Sequence, residues 1–133
     1  MSAVIVDGKA VAAELREELA THVAAMASDG TPPPSLAVVL CGDDPASAIY
    51  VRNKGRAAAR AGVRFTLHTP PAESASGELI ELVRSLDADE TVDGILVQLP
   101  LPAQIDAAWR PVSRPSPAAS TPMRRVAAWP MYG

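Results

Sequence analysis

One cysteine, two histidines, two lysines and five aromatic rings are all that 133 residues supply of those types. Each shortage closes off a class of chemistry. Cys41 has no second cysteine to pair with, and His22 and His68 stand too far apart to give a metal-ligand spacing. The expectation for Cys41 is a buried strand residue. No apolar run approaches the roughly 20 residues that cross a bilayer, and MSAVIVDGKA lacks the charged start and apolar stretch of a secretory signal. No membrane partner and a cytoplasmic location are therefore expected. There is no internal repeat and no glycine-rich phosphate loop. With rings so scarce, a single core must be packed by Ala, Val, Leu and Ile, which suits layered helices and strands.

Charge is unevenly spread. Residues 1–106 hold all 15 acidic side chains against eight basic ones, a balance of −7, whereas 107–133 hold Arg110, Arg114, Arg124 and Arg125 and no acid. An acidic body argues against nucleic acid, because phosphate binding requires a basic face.

Along the chain, AVIV is a short β-prone run, and Asp7 can cap a helix with apolar positions Val11, Leu15, Leu19, Val23 and Met26. Gly30 and the prolines 32–34 end it. SLAVVLC shows no polar alternation, as expected of a strand covered on both faces. Asp44 followed by Pro45 is a capping residue and a favoured first helical position, so a helix is predicted from Pro45 to about Ala61, stopped by Gly62. VRFTLHT reads as a strand, SASGELIELVRSLDAD as a helix and DGILVQLPLP as a strand entering a proline-punctuated loop. Such alternation predicts an α/β fold: βαβ units with a mostly parallel sheet flanked by helices, its functional loops at the carboxyl ends of the strands. GDDPAS and QLPLP both fall there. From Trp109 the character changes to five prolines, both tryptophans and no readable period. The expected division is 1–108 as a domain and 109–133 as an irregular Pro/Arg-rich tail.

On the helix from Pro45, Ser47, Tyr50 and Lys54 lie at i, i+3 and i+7 and share a stripe. A lysine at the edge of an apolar cleft can exchange protons near neutral pH, a tyrosine ring can stack on and orient a ligand, and Gln98 at a strand end can bond to either. Spacing alone leaves the plainer alternative open: a surface Tyr and a snorkelling Lys, a Ser47 bonding its own helix turn, and a Gln98 that satisfies nearby backbone.

The strings VDGKAVAAELR, GDDPASAIYVRNKGRAAARAGV and DGILVQLPLPAQID, in that order, resemble the N-terminal catalytic domain of the bifunctional methylenetetrahydrofolate dehydrogenase/methenyltetrahydrofolate cyclohydrolase family, from about Ala3 to Asp106. The resemblance implies that Lys54 is the central catalytic group, that Tyr50 packs against and orients the folate rings, and that Gln98 bonds to and tunes the lysine. It places Ser47 in the same pocket and Leu99, Pro100, Leu101 and Pro102 along the folate cleft. The implied reactions oxidise 5,10-methylenetetrahydrofolate with NADP and hydrolyse the 5,10-methenyl product to 10-formyltetrahydrofolate.

The family's second half, a Rossmann-type domain that binds NADP, has no counterpart in 133 residues. The family homodimer, built largely through that half, is not expected to be preserved. The acidic pterin anchor expected beyond the LPLP loop has no match in 113–125, a loss of roughly 1–3 kcal/mol in binding. The abrupt change near Ala108 has the composition that an out-of-frame reading of GC-rich DNA produces. Hydrolysis needs no nicotinamide, so it is the activity this chain can retain. The alternative is a non-catalytic folate-binding or interaction remnant with an exposed apolar edge.

Overall fold

The computed structural model describes residues 2–105 and 125–129, the last five as backbone with the Val126 side chain. The elements run α1 (Gly8–Ser28), β1 (Ser35–Val39), α2 (Pro45–Ala61), β2 (Arg64–His68), α3 (Ser76–Ala88), β3 (Gly94–Gln98) and β4 (Arg125–Trp129). All four strands are parallel, in the order β2-β1-β3-β4. This is the α/β class expected, with every helix and β1, β2 and β3 within the predicted stretches. Among the described residues no helix is long and apolar enough to cross a membrane.

Local chemistry sets the boundaries. The Asp7 carboxylate accepts from the Lys9 and Ala10 amides at 3.0 and 3.3 Å and starts α1. In α2 the Asp44 carboxylate accepts from the Ser47 amide at 2.7 Å, with Pro45 in the first turn. This bond, first to the Ser47 backbone and then to its side chain, holds the Asp44 carboxyl below its ordinary range. Gly62 ends the helix in the left-handed region at φ 77°, and a Cβ there would stand 3.0 Å from Val23 Cγ1 of α1. Gly62→Ala therefore combines left-handed strain with crowding of the α1–α2 contact. We expect it to lower stability by about 1–2 kcal/mol, read as a shift of the urea midpoint with unchanged slope.

Leu36, Val38 and Leu40 point to one face of the sheet and meet Val51 of α2, while Ala37 and Val39 point to the other with Ile95 and Val97 and meet Leu79, Val83 and Leu86 of α3. Helices on both faces explain why β1 and β3 lack polar alternation. Because the chain moves from β1 outward to β2 and then back past β1 to β3, the direction of winding reverses between β1 and β3, where α/β sheets open a crevice at their carboxyl ends.

Three expectations differ from what is observed. AVIV is not a strand: Val4, Ile5 and Val6 are 77–91% exposed, and no described strand pairs with them. The apolar stripe of α1 is a helix as predicted, yet only Val23 is buried, since α1 meets the rest of the fold chiefly through α2. Within the stretch expected to be an irregular tail, Arg125–Trp129 forms β4, pairing Val126 with Ile95. A short β-prone run can satisfy its backbone on the edge that β3 leaves open, whatever the composition around it. The pterin anchor sought in 113–125 and the break at Ala108 lie, but for the backbone of Arg125, outside the described residues.

Candidate functional site

Two segments meet at the crevice. Helix α2 leaves the carboxyl end of β1 through Gly42, whose φ of 91° and 3.3 Å approach to Ala72 Cβ leave no room for a larger residue. Lys54 lies past the middle of α2. Gln98 is the last residue of β3, and its side chain is fully buried. Residues 44 apart in sequence thus come together: Lys54 Nζ donates to Gln98 Oε1 at 2.6 Å. Gln98 Nε2 donates to the Leu99 carbonyl at 2.9 Å. That carbonyl can only accept, so it directs the NH2 end of the amide toward itself and the oxygen end toward the lysine.

Lys54 is half-buried and lines a groove of about 610 Å³ that runs toward the amino ends of β1 and β3, with Leu36, Ala57, Ala58, Gly94 and Leu96 beside Arg16 and Asp93. Desolvation by burial lowers its pKa. The consequence for stability has a definite sign. With the folded pKa below the unfolded one, the unfolded chain holds more protons in the interval between them, so stability rises with pH across that interval and is lost as pH falls through the folded value. Urea midpoints collected at stepped alkaline pH should show this rise for the native chain relative to Lys54→Met. Parallel profiles for the two proteins would contradict it.

The other predicted residues are placed as follows. Tyr50, one turn before Lys54, is 46% exposed, which leaves ring surface open to a ligand. Ser47 is fully buried beneath the first turn of α2, so a ligand in the open crevice does not reach it without movement of the helix start. Leu99, Leu101 and Pro102 are half-buried and Pro100 is exposed; the Leu99–Pro100 peptide is cis. Leu101 packs partly on the α3-side core, so its share in any cleft wall is limited. Cys41 is buried and free, as expected, though it lies two residues past the end of β1 rather than in the strand, and its Sγ donates to the Pro71 carbonyl at 3.4 Å. Burial, then the neighbouring Glu73 charge, raises its pKa.

Sequence reasoning missed Gln104 and Asp93. Gln104 Nε2 donates to the carbonyls of Ala72 and Ser74. Asp93 Oδ2 accepts from the Ser35 amide at 2.8 Å and ties the start of β3 to that of β1. Neither lies in a motif with a mechanism of its own, and only the fold supplies their partners.

A dinucleotide is not accommodated by these residues. The turn into α2 carries Asp43 and Asp44 where a diphosphate would need backbone N–H groups free of negative neighbours, and α3 opens with its N-cap amide bonded to the Glu78 carboxylate.

Known proteins match the same region. The model of the tetrahydrofolate dehydrogenase/cyclohydrolase catalytic domain matches residues 6–109. The bifunctional protein FolD of Rhodopirellula baltica is 53% identical over 104 residues, 78% of this chain and 35% of its own length. A 5,10-methylenetetrahydrofolate dehydrogenase from the silkworm Bombyx mori superposes with a TM-score of 0.75 at 40% identity, over 79% of this chain and 36% of that one. The Trypanosoma brucei dehydrogenase-cyclohydrolase, solved with NADP cofactor and an inhibitor, superposes with a TM-score of 0.72 at 38% identity, over 80% and 36%. The match thus spans about a third of the length of these relatives. A parallel sheet whose crevice joins a helix lysine to a strand-end glutamine, and a family model covering most of the chain, lead to one assignment: this chain belongs to the tetrahydrofolate dehydrogenase/cyclohydrolase family, through its catalytic domain.

Proposed function

We propose that residues 1–108 form a folate cleft that hydrolyses 5,10-methenyltetrahydrofolate to 10-formyltetrahydrofolate, with Lys54 as proton relay, Gln98 as its partner and Tyr50 as the platform for the ring system. The observation that carries this reading is the 2.6 Å bond from Lys54 Nζ to Gln98 Oε1 at the carboxyl edge of the sheet. Leu99, Pro100 and Pro102 would border the folate, Leu101 more by backbone than by side chain, and Ser47 would act indirectly by supporting the helix start.

The chemistry asks little of the protein beyond position and one mobile proton. The bridging carbon of the methenyl cation lies between two nitrogens and is electrophilic. Water adds to it while a neutral Lys54 takes one of its protons. The resulting hydroxyl carbon then collapses: the C=O bond forms, the bond to the ring nitrogen breaks, the Lys54 ammonium returns its proton to that nitrogen, and the hydroxyl proton leaves to solvent. A lowered lysine pKa increases the neutral fraction that begins the cycle, and Gln98 Oε1 receives the ammonium when it forms. No step is drawn through NADP, because the described residues do not fit it.

The test is the decay of the methenyl chromophore with purified chain, accompanied by titration with a non-reactive folate analogue. Decay above the buffer rate that saturates with substrate supports the reading. Buffer-rate decay together with no analogue binding overturns it.

A further inference from the structure

We infer that Gln104 is a positioning residue: its side-chain amide clamps the loop after β3 to the loop after β2, and by fixing the first of these it holds the Leu99 carbonyl that orients Gln98 toward Lys54.

Among the described residues, three loops leave the carboxyl edge of the sheet, and hydrogen bonds link them in sequence. The loop after β1 grips the loop after β2 at its base, where the Gly42 amide donates to Pro70 at 3.0 Å and Cys41 Sγ to Pro71. The second loop is stiffened from within, since Ser74 donates to the Pro71 carbonyl through both its hydroxyl, at 2.7 Å, and its amide, at 3.0 Å. Gln104 then joins this braced loop to the third by its two bonds, to Ala72 and to Ser74 at 3.1 Å. Both acceptors are backbone carbonyls, so only a donor serves at this position. Gln104 is itself exposed, and its removal opens no core cavity.

The described part of the third loop begins at Leu99, whose carbonyl receives Gln98 Nε2 at 2.9 Å, and reaches Ile105, which is buried and whose amide donates to Pro102 at 3.0 Å. Pro100 and Pro102 contribute no N–H groups, and among the described residues the Gln104 bonds tie this segment to the loop after β2. Freeing residue 104 lets Leu99 shift, and the Gln98 amide loses one contact that favours its oxygen end facing the lysine. The clamp stands on geometry alone, whereas its consequence for folate rests on the function proposed above.

The test compares the native chain with Gln104→Met, which keeps the length and loses the donor, and with Gln104→Lys, which regains one. Hydrogen exchange followed by NMR should show the Ser74 and Ile105 amides and the Gln98 side-chain NH2 exchanging about tenfold faster or more in the Met variant. Val38 and Leu96 in the sheet should stay at native rates, and the Lys variant should recover most of the protection. A general loss of stability would instead speed all sites together. Unchanged rates at Gln98, acceleration in only one of the two loops, or a Lys variant as labile as the Met variant would overturn the inference. In a chain that binds the folate analogue, the Met variant should bind it about tenfold more weakly at an unchanged melting temperature. Failure of the native chain to bind would count against the folate reading, while the exchange rates would still decide the clamp.

Discussion

Replacing Lys54 with methionine should reduce the hydrolysis of the methenyl substrate by about 10²- to 10⁴-fold, the span that a positioned acid or base contributes. Methionine keeps an unbranched stem for the groove beside Leu96 and removes only the proton-carrying nitrogen. The native lysine holds a depressed pKa at a cost in free energy, which the variant does not bear. The variant's Gln98 Oε1, fully buried, loses the bond at 2.6 Å, a loss of about 1–3 kcal/mol for a buried acceptor, so the two effects on stability oppose each other. The measurement is the initial rate of chromophore loss at several substrate concentrations, so that binding and turnover separate. Weak binding with full turnover would assign Lys54 to recognition, and equal rates in both proteins would remove it from the chemistry altogether.

The largest effect on stability is expected from Ile95→Ala, at about 2–5 kcal/mol. Ile95 is 2% exposed, in the second position of β3, and packs with Leu79, Val83 and Val97 under α3. Strands flank it on both sides, through Ala37 of β1 and Val126 of β4, so the surroundings have little freedom to close over a cavity. Domains of this size have total stabilities of roughly 5–15 kcal/mol, and a loss at the upper end would leave a substantial unfolded fraction. The site would fail with the fold, since β3 is the element that presents Gln98. Leu15→Ala offers the contrast: Leu15 is 59% exposed on α1 and should change the urea midpoint by no more than about 0.5 kcal/mol equivalent. Comparable losses from the two substitutions would mean that α1 is covered in solution.

Legibility followed the range of the interaction involved. Both ends of α2 could be read because the signals are local: Asp44 bonds an amide three residues ahead, Pro45 suits the first turn, and Gly62 takes a backbone conformation that other residues resist. Strands β1 and β3 could be read because burial on both faces writes an unbroken apolar run. AVIV carried the same apolar signal yet pairs with no described strand, and β4 carried a weaker signal beside the edge of β3. Availability of a partner decided between them. The convergence of Lys54 with Gln98 was implied by resemblance, since spacing on one helix does not specify which strand end lies opposite it.

By itself the sequence determined where helices begin and stop, which runs enter a two-sided core, and that the candidate site residues fall on the helix after β1 and at the end of β3. These depend on caps, fixed φ angles and hydrophobic burial, all set within a few residues. Only the tertiary structure decided that the lysine reaches the glutamine, that Ser47 is sealed under its helix, that α1 keeps most of its apolar stripe in solvent, and that Gln104 bridges two loops. Each of those depends on groups tens of residues apart in the chain, brought within a few ångströms by the parallel pairing of the strands.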